Sequence, residues 1–312
     1  MGEGGYRQIN KALNIEAFEH YLLTQHARLP ELADVEQLSP RVLRVLGQNP
    51  GKFTLQGTNT YIVGTGSHRL IIDTAQGIPE WADIIESTLA DNSISLSHVF
   101  LSHWHGDHTG GVPDLLRLYP ELSQSIYKNS PGRNQQPIED GQRFTVEGAT
   151  IRAVHAQGHS HDHMCFVLEE ENAMFTGDNI LGHGSSAVEE LGVYMASLTK
   201  MQAQGCTIGY PAHGVVITDL QGKIAVELAQ KKRREAQILR TLTEIRRQYG
   251  RKMASLTVKE LVTTMYGAGV GDEVKQQALE PFMDEVLRKL AEDGRVAFEL
   301  RGGNKKWFAI RV

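Results

Sequence analysis

The sequence predicts a layered α/β fold followed by a small, separate helical unit. Three observations predict it. From about residue 42 to 220, short runs rich in β-branched residues alternate with helical patterns across glycine-rich turns. Histidines and aspartates stand where those runs end, the usual place for a site in a layered fold. Beyond residue 220 the composition changes to basic and helical.

VLRVL (42–46), TYIVGTG (60–66), HRLIIDT (68–74) and SHVFLSH (97–103) read as strands. Between the last two, IPEWADIIESTLAD has helical spacing, with Pro79 suited to a first turn. Further strands are expected at 150–155, 163–169, 172–176 and 207–210, and a helix at 191–204. Residues 1–40 read as one helix and a lead-in loop ending at Pro40, residues 41–220 as the α/β domain, and residues 221–312 as a basic helix with a winged-helix-like domain. The last assignment rests on three helical runs closed by RVAFEL and KWFAIRV across the turn RGGN.

A chain of 312 residues suits about two domains. Its net charge of −5 argues against a protein whose main task is coating nucleic acid. Cys165 and Cys206 are its only cysteines, so no disulfide framework exists and a reducing compartment is expected. The start MGEGGYRQIN lacks a secretory pattern, and no run approaches the roughly 18 apolar residues of a membrane span. Gly2 invites myristoylation, but that motif wants Ser or Thr where this chain has Tyr6. A cytoplasmic protein with no membrane contact is expected.

The chemistry is concentrated in LSHWHGDHTGG (101–111). In an extended segment His103 and His105 fall on one side, and a turn at Gly106 with a helix starting near Asp107 brings Asp107 and His108 to a neighbouring point. That arrangement suits two cations better than one. Imidazole and carboxylate together favour Zn²⁺, with Mn²⁺ or Fe as alternatives. His159, Asp178 and His213, each after a strand or a glycine turn, supply the remainder. His103, His105 and His159 are assigned to one ion and Asp107, His108 and His213 to the other, with Asp178 bridging. Two such ions share a water and lower its pKa for attack on a carbonyl or phosphoryl centre, so the reaction is hydrolysis. Asp107 doubles as proton acceptor and donor.

Plainer roles compete at several positions. Asp178 taken alone could cap a helix. His155, His161 and His163 compete with His159, which is preferred because Gly158 permits a tight approach. His161 and His163 suit supporting or strand positions. Asp73 either orients a ligand or caps a turn, and Cys165 reads as a core residue. The glycine-rich stretches at 49–61 and 182–187 could line a pocket.

HWHGDH, GHSHDH, TGDN and PAHG, in that order, resemble the metallo-β-lactamase superfamily over nearly the whole chain. The resemblance implies an αβ/βα sandwich and the seven ligands His103, His105, Asp107, His108, His159, Asp178 and His213, with Asp107 as the proton-transfer group. NPGKFTLQGTNTYIVGTG and LIIDT resemble the branch containing β-lactamase-like protein 2, which carries a C-terminal winged-helix unit. Within it, MGEGGYRQINKALNI, YKNSPGRNQQPIEDGQ and LTKMQAQGCTIGYPAHG are most similar to the fungal atrochrysone carboxyl acyl-carrier-protein thioesterases. That implies hydrolysis of the thioester between the carrier protein of a nonreducing polyketide synthase and its polyketide, releasing atrochrysone carboxylic acid for anthraquinone-type secondary metabolites. The basic stretch Lys231 to Arg251 is then a surface for an acidic carrier protein, or simply a solvated helix face.

Two departures stand out. Relatives commonly read DTG where this chain has Asp73-Thr74-Ala75, and TPGH where it has Ala156-Gln157-Gly158-His159. Ala75 strains its turn if the position needs positive φ. Two further readings are a metal-dependent endoribonuclease of the same superfamily, suggested by the basic helix, and a glyoxalase II-like thioester hydrolase.

Overall fold

The computed structural model describes residues 28–250 and 254–310. The helix expected within residues 1–40 lies outside the described residues. Two compact units divide the chain. The first runs to Glu189 and resumes over Val193–Ala225, and the second comprises Glu190–Gly192 and Val226–Val312.

The first unit is built on two sheets. The seven-stranded sheet runs in chain order: β1 (Val35–Ser39), β2 (Val42–Leu46), β3 (Asn59–Val63), β4 (His68–Ile72), β5 (Ser95–Leu101), β6 (Ile126–Lys128) and β7 (Gln136–Pro137). Its first four strands pair antiparallel, and β4 to β7 pair parallel. The five-stranded sheet holds β8 (Arg143–Val146), β9 (Ala149–His155), β10 (Met164–Leu168), β11 (Ala173–Gly177) and β12 (Ile208–Pro211), ordered β12-β11-β10-β9-β8, with only β11 and β12 parallel.

Side-chain alternation explains the layering. Val42, Tyr61, Val63, Leu70, Ile72 and Phe100 point from the first sheet into a core shared with Ile151, Ala153, Met164, Phe166 and Phe175 of the second. Their neighbours Leu43, Val45, Ile62, Ile71 and Val99 point the other way, onto Trp81, Ile85 and Leu89 of α1 (Pro79–Asp91). A strand buried on both faces reads as a continuous apolar run, which is why VLRVL and RLII are legible as sheet. The short helices α2 (Gly106–Thr109) and α3 (Val112–Leu118) follow β5, and α4 (Leu191–Ala203) buries Tyr194, Leu198 and Met201 on the second sheet's side, where the Tyr194 hydroxyl donates to the Asn179 carbonyl at 2.7 Å. The result is the αβ/βα sandwich.

Two expectations need correction. Residues 35–39 form the edge strand β1 rather than a loop, pairing Val35 with Val45 and Glu36 with Arg44, whose side chains also form an ion pair. Their exposed, polar pattern hides a strand whose stability comes from its neighbour. The division expected after residue 220 falls between Ala225 and Val226, inside the continuous helix α5 (Leu220–Tyr249). Its first turn packs on β12, with the Leu220 side chain against Gly209.

In the second unit, α5 is followed by α6 (Val258–Tyr266) and α7 (Glu280–Glu292), then by the hairpin β13 (Val296–Arg301) and β14 (Asn304–Ala309). A capping box of Thr257 and Glu260 starts α6. The π-helical turn Lys275–Leu279 leads into α7. Helices closed by a hairpin are the elements that the sequence places here. Among the described residues, no helix is long and apolar enough to cross a membrane.

Candidate metal centre

The parallel strands β4, β5, β11 and β12 bring Asp73, Ser102 to His108, Asp178 and His213 to one end of the two sheets, and the β9–β10 loop adds His159. All seven residues singled out from the sequence meet there, each nearly or fully buried. They fall into two groups, His103, His105, His159 and Asp178, and Asp107, His108 and His213.

In the first group three imidazole nitrogens face one another. His103 Nε2 lies 2.8 Å from His105 Nδ1, and His159 Nε2 lies 3.2 Å from His103 Nε2 and 3.0 Å from His105 Nδ1. In the second, His213 Nε2 is 3.3 Å and His108 Nε2 3.5 Å from Asp107 Oδ2. Asp178 spans both: Oδ2 is 3.4 Å from His159 Nε2, while Oδ1 is 3.2 Å from His213 Nε2 and 3.6 Å from His108 Nε2. No helix starts at Asp178, so the capping alternative falls away.

The path to this geometry differs from the one expected for His103 and His105. β5 ends at Leu101, so the two histidines leave a bend rather than an extended strand. His105 then serves as the N-terminal boundary of α2, whose single turn carries Asp107 and His108 inward. Gly158 has φ of 127°, and a Cβ there would lie 2.3 Å from Tyr194 Cα, which accounts for the glycine before His159. Ala75 does adopt positive φ, 52°, and its methyl fills space that a side chain at Gly47 would need.

The supporting contacts settle which ring nitrogen faces inward. Asp73 accepts from His108 Nδ1 at 2.9 Å, from the Ser102 backbone N–H at 2.7 Å and from the Ser102 hydroxyl at 2.8 Å. That hydroxyl, its proton committed to Asp73, accepts from His103 Nδ1 at 3.0 Å. His159 Nδ1 donates to the Ala187 carbonyl at 2.9 Å. Each contact turns an Nε2 toward the centre. Asp73 therefore orients a ring rather than capping a turn. His163 is fully buried behind the site, where its Nε2 accepts from the Asp178 backbone N–H at 2.9 Å. His161 is exposed and His155 partly so; neither joins the cluster.

Burial first, and the neighbouring imidazoles second, hold the rings of His103 and His105 neutral, the latter with its pKa lowered to about 3. Burial also lowers His159, outweighing the pull of Asp178. The second group behaves oppositely. Burial disfavours charge there too, but the carboxylates of Asp107, Asp178 and Asp73 raise His108 well above its ordinary value, and Asp178 and Asp107 raise His213 to about 9. Those histidines in turn hold Asp107 and Asp178 below the usual carboxylate range despite burial.

These residues fit a divalent cation. His108 Nε2, His213 Nε2, Asp107 Oδ1 and Asp178 Oδ1 are buried without hydrogen-bond partners, a costly arrangement in the absence of a cation. The donor set is imidazole and carboxylate throughout.

Comparison with known proteins decides the family. The profile described as the metallo-β-lactamase superfamily matches residues 53–213, a span that includes all seven cluster residues. The chain belongs to the metallo-β-lactamase superfamily. Solved structures with the same fold include a β-lactamase domain protein from Burkholderia ambifaria, 17% identical with a TM-score of 0.66 over 90% of this chain and 95% of that one. A metallo-β-lactamase family protein from Thermus thermophilus is 20% identical, with a TM-score of 0.62 over 88% of this chain and 100% of that one. Among relatives, an atrochrysone carboxyl ACP thioesterase from Aspergillus aculeatus is 71% identical over 99% of this chain and 100% of its own. One from Aspergillus terreus is 70% identical over 99% and 98%. A lactamase-like protein from Pestalotiopsis fici is 69% identical over 100% and 99%. In this metallo-β-lactamase fold the cluster offers the imidazole and carboxylate donors that a divalent metal takes.

Ser102, Lys128 and Asp162 escape a reading of the sequence, which placed His163 in a supporting or strand position without naming its partner. Ser102 is an ordinary residue at a strand end, and Asp162 is hidden among the histidines of GHSHDH.

Proposed function

We propose that the protein is a metal-dependent thioesterase that hydrolyses the thioester between an acyl carrier protein of a nonreducing polyketide synthase and its polyketide, releasing atrochrysone carboxylic acid. The observation that carries this reading is 66–71% identity, over at least 98% of the chain, to relatives named atrochrysone carboxyl ACP thioesterases. The hydrolytic chemistry belongs to the segment 41–220.

In this reading His103, His105 and His159 would hold one ion, Asp107, His108 and His213 would hold the other, and Asp178 would serve both. Zn²⁺ suits the imidazole-rich donor set, with Mn²⁺ and Fe as the alternatives that metal analysis distinguishes. When bound, two such ions supply the Lewis acidity that activates water and polarises the thioester carbonyl.

Asp107 manages the proton. Its Oδ2 faces His213 and His108, and its Oδ1 has no hydrogen-bond partner. Held ionised by the two histidines, it is ready to accept a proton from the attacking water and to return it to the leaving group. A thiol of ordinary pKa, about 8.5, departs readily, so little acid assistance is needed. Cys165 and Cys206 are buried, and burial pushes both thiols up, so neither serves as a nucleophile. Two free thiols also favour a reducing, cytoplasmic setting. The exposed cations Lys232, Arg233, Arg240 and Arg247 of α5 offer an acidic carrier protein a docking surface.

The test is mass spectrometry of a polyketide-loaded carrier protein with and without the zinc-loaded protein. Release of the free acid is expected, is lost on chelation and returns with Zn²⁺, while RNA stays intact. Failure to discharge the carrier would overturn the proposal, and RNA cleavage in its place would favour the endoribonuclease reading.

A further inference from the structure

The loop that joins β9 to β10 carries both His159 and His163, and one buried ion pair ties it down. Lys128, the last residue of β6, donates from Nζ to the Asp162 carboxylate and to the carbonyls of Asn129 at 2.9 Å and Ser130 at 3.2 Å. Both charged side chains are nearly out of solvent, Asp162 completely. The other Asp162 oxygen accepts from the Ser160 hydroxyl at 2.8 Å. Asp162 is thus flanked by His163, which accepts the Asp178 backbone N–H, and is hydrogen-bonded to Ser160, which follows His159.

We infer that Lys128 and Asp162 are positioning residues for the imidazole half of the metal centre, setting the placement of His159. The physical reason is geometric. Three nitrogens aimed at one point within 3.2 Å of one another need their loop held against rotation. His159 has its own anchor at the Ala187 carbonyl, but that contact orients its ring and leaves the backbone of the loop to be fixed elsewhere. A carboxylate with an ammonium on one oxygen and a hydroxyl on the other does this, because both partners are almost wholly withdrawn from solvent. The same ammonium closes over the carbonyl of Ser130, a residue at φ of 51°, so the pair also holds the start of the segment that follows β6. Asp107, His108 and His213 have none of these contacts, so the pair acts on one half of the centre.

The inference rests on the ligand assignment proposed above, and the test separates the two. Zn²⁺ is titrated against a chromophoric chelator into wild type and Asp162→Asn, and the visible spectrum of each Co²⁺-loaded protein is recorded. Wild type should take up two equivalents. Asp162→Asn should weaken one equivalent about 10- to 100-fold, leave the other unchanged and alter the Co²⁺ bands of the weakened position only. Ser160→Ala, which removes a single hydrogen bond, should show a smaller loss on the same side, and it carries the test if Asp162→Asn does not fold. Unchanged affinity, or equal weakening of both equivalents, would overturn the positioning role. A wild-type protein that takes up no Zn²⁺ would overturn the ligand assignment itself, and the positioning role with it.

Discussion

The two halves of the centre share one buried pocket and one bridging carboxylate, yet their protons behave oppositely. His103, His105 and His159 face mainly each other, so burial and mutual repulsion keep them neutral. His108 and His213 face Asp107 and Asp178, with Asp73 behind His108, and keep their protons above neutrality. Burial alone therefore does not decide whether a histidine is ready for a metal; the placement of carboxylates does. The imidazole-only half is already deprotonated for a cation, whereas the other half holds its charges in ion pairs that a cation must displace.

The largest way to break this comparison is to remove the proton-handling carboxylate. Asp107→Asn should lower the rate of thioester release by about 10²- to 10⁴-fold while leaving the far-ultraviolet circular dichroism intact. Initial rates with a loaded carrier protein check this, and an undiminished rate would remove Asp107 from the mechanism. Next in size is Asp73→Asn, which withdraws the acceptor from His108 Nδ1 directly and from His103 only through Ser102. Zn²⁺ affinity should fall by about 10- to 100-fold at the Asp107 half and by less at the imidazole half, as read by chelator competition.

The proton difference itself gives a third test. Because the pKa of His213 is raised to about 9, it is protonated below that pH, and loading the Asp107 half near neutrality must expel protons. Affinity there should fall as pH drops below about 9, whereas the imidazole half should not lose His105 to protonation until near pH 3. Calorimetry in buffers of different ionisation enthalpy counts the protons, and equal release at both positions would contradict the contrast. In the metal-free protein the sign reverses. A histidine whose folded pKa exceeds its unfolded value of about 6.5 stabilises fully below that value, and the contribution is lost as pH rises through about 9.

The second unit sharpens the same lesson on a smaller scale. Glu285 of α7 is also substantially buried, and there burial outweighs the attraction of Arg288, Lys231 and Arg234, raising its pKa to about 7. A carboxyl raised in this way destabilises progressively as pH climbs from its unfolded value, about 4.5, to about 7. Glu285→Gln should stabilise this unit by about 2 kcal/mol above pH 7 and by nothing below pH 4.5. Urea unfolding or hydrogen exchange in α7 at the two pH values checks it.

HWHGDH was legible because four ligand-capable residues within six positions seldom serve anything but a metal, and Asp178 and His213 because each follows an apolar strand. The resemblance singled out position 75 as a turn where alanine is strained if φ is positive, and φ there is 52°. The supporting contacts were not legible, because their partners are distant in the chain. Asp73 meets Ser102 across 29 positions and Lys128 meets Asp162 across 34. His163, indistinguishable by spacing from the other histidines of GHSHDH, is set apart only by the Asp178 N–H it accepts. β1 was missed for a related reason: most of its residues are polar or exposed, and only pairing with β2 makes them a strand.

From the sequence alone come the residue types of the centre, its hydrolytic character and the layered α/β plan, since ligand chemistry and strand periodicity are local properties. Tertiary structure decided which nitrogen of each ring faces inward and which histidines carry protons. It also decided which carboxylates merely support the site. Those depend on distances between strand ends that burial and sheet pairing set, and no local pattern encodes them.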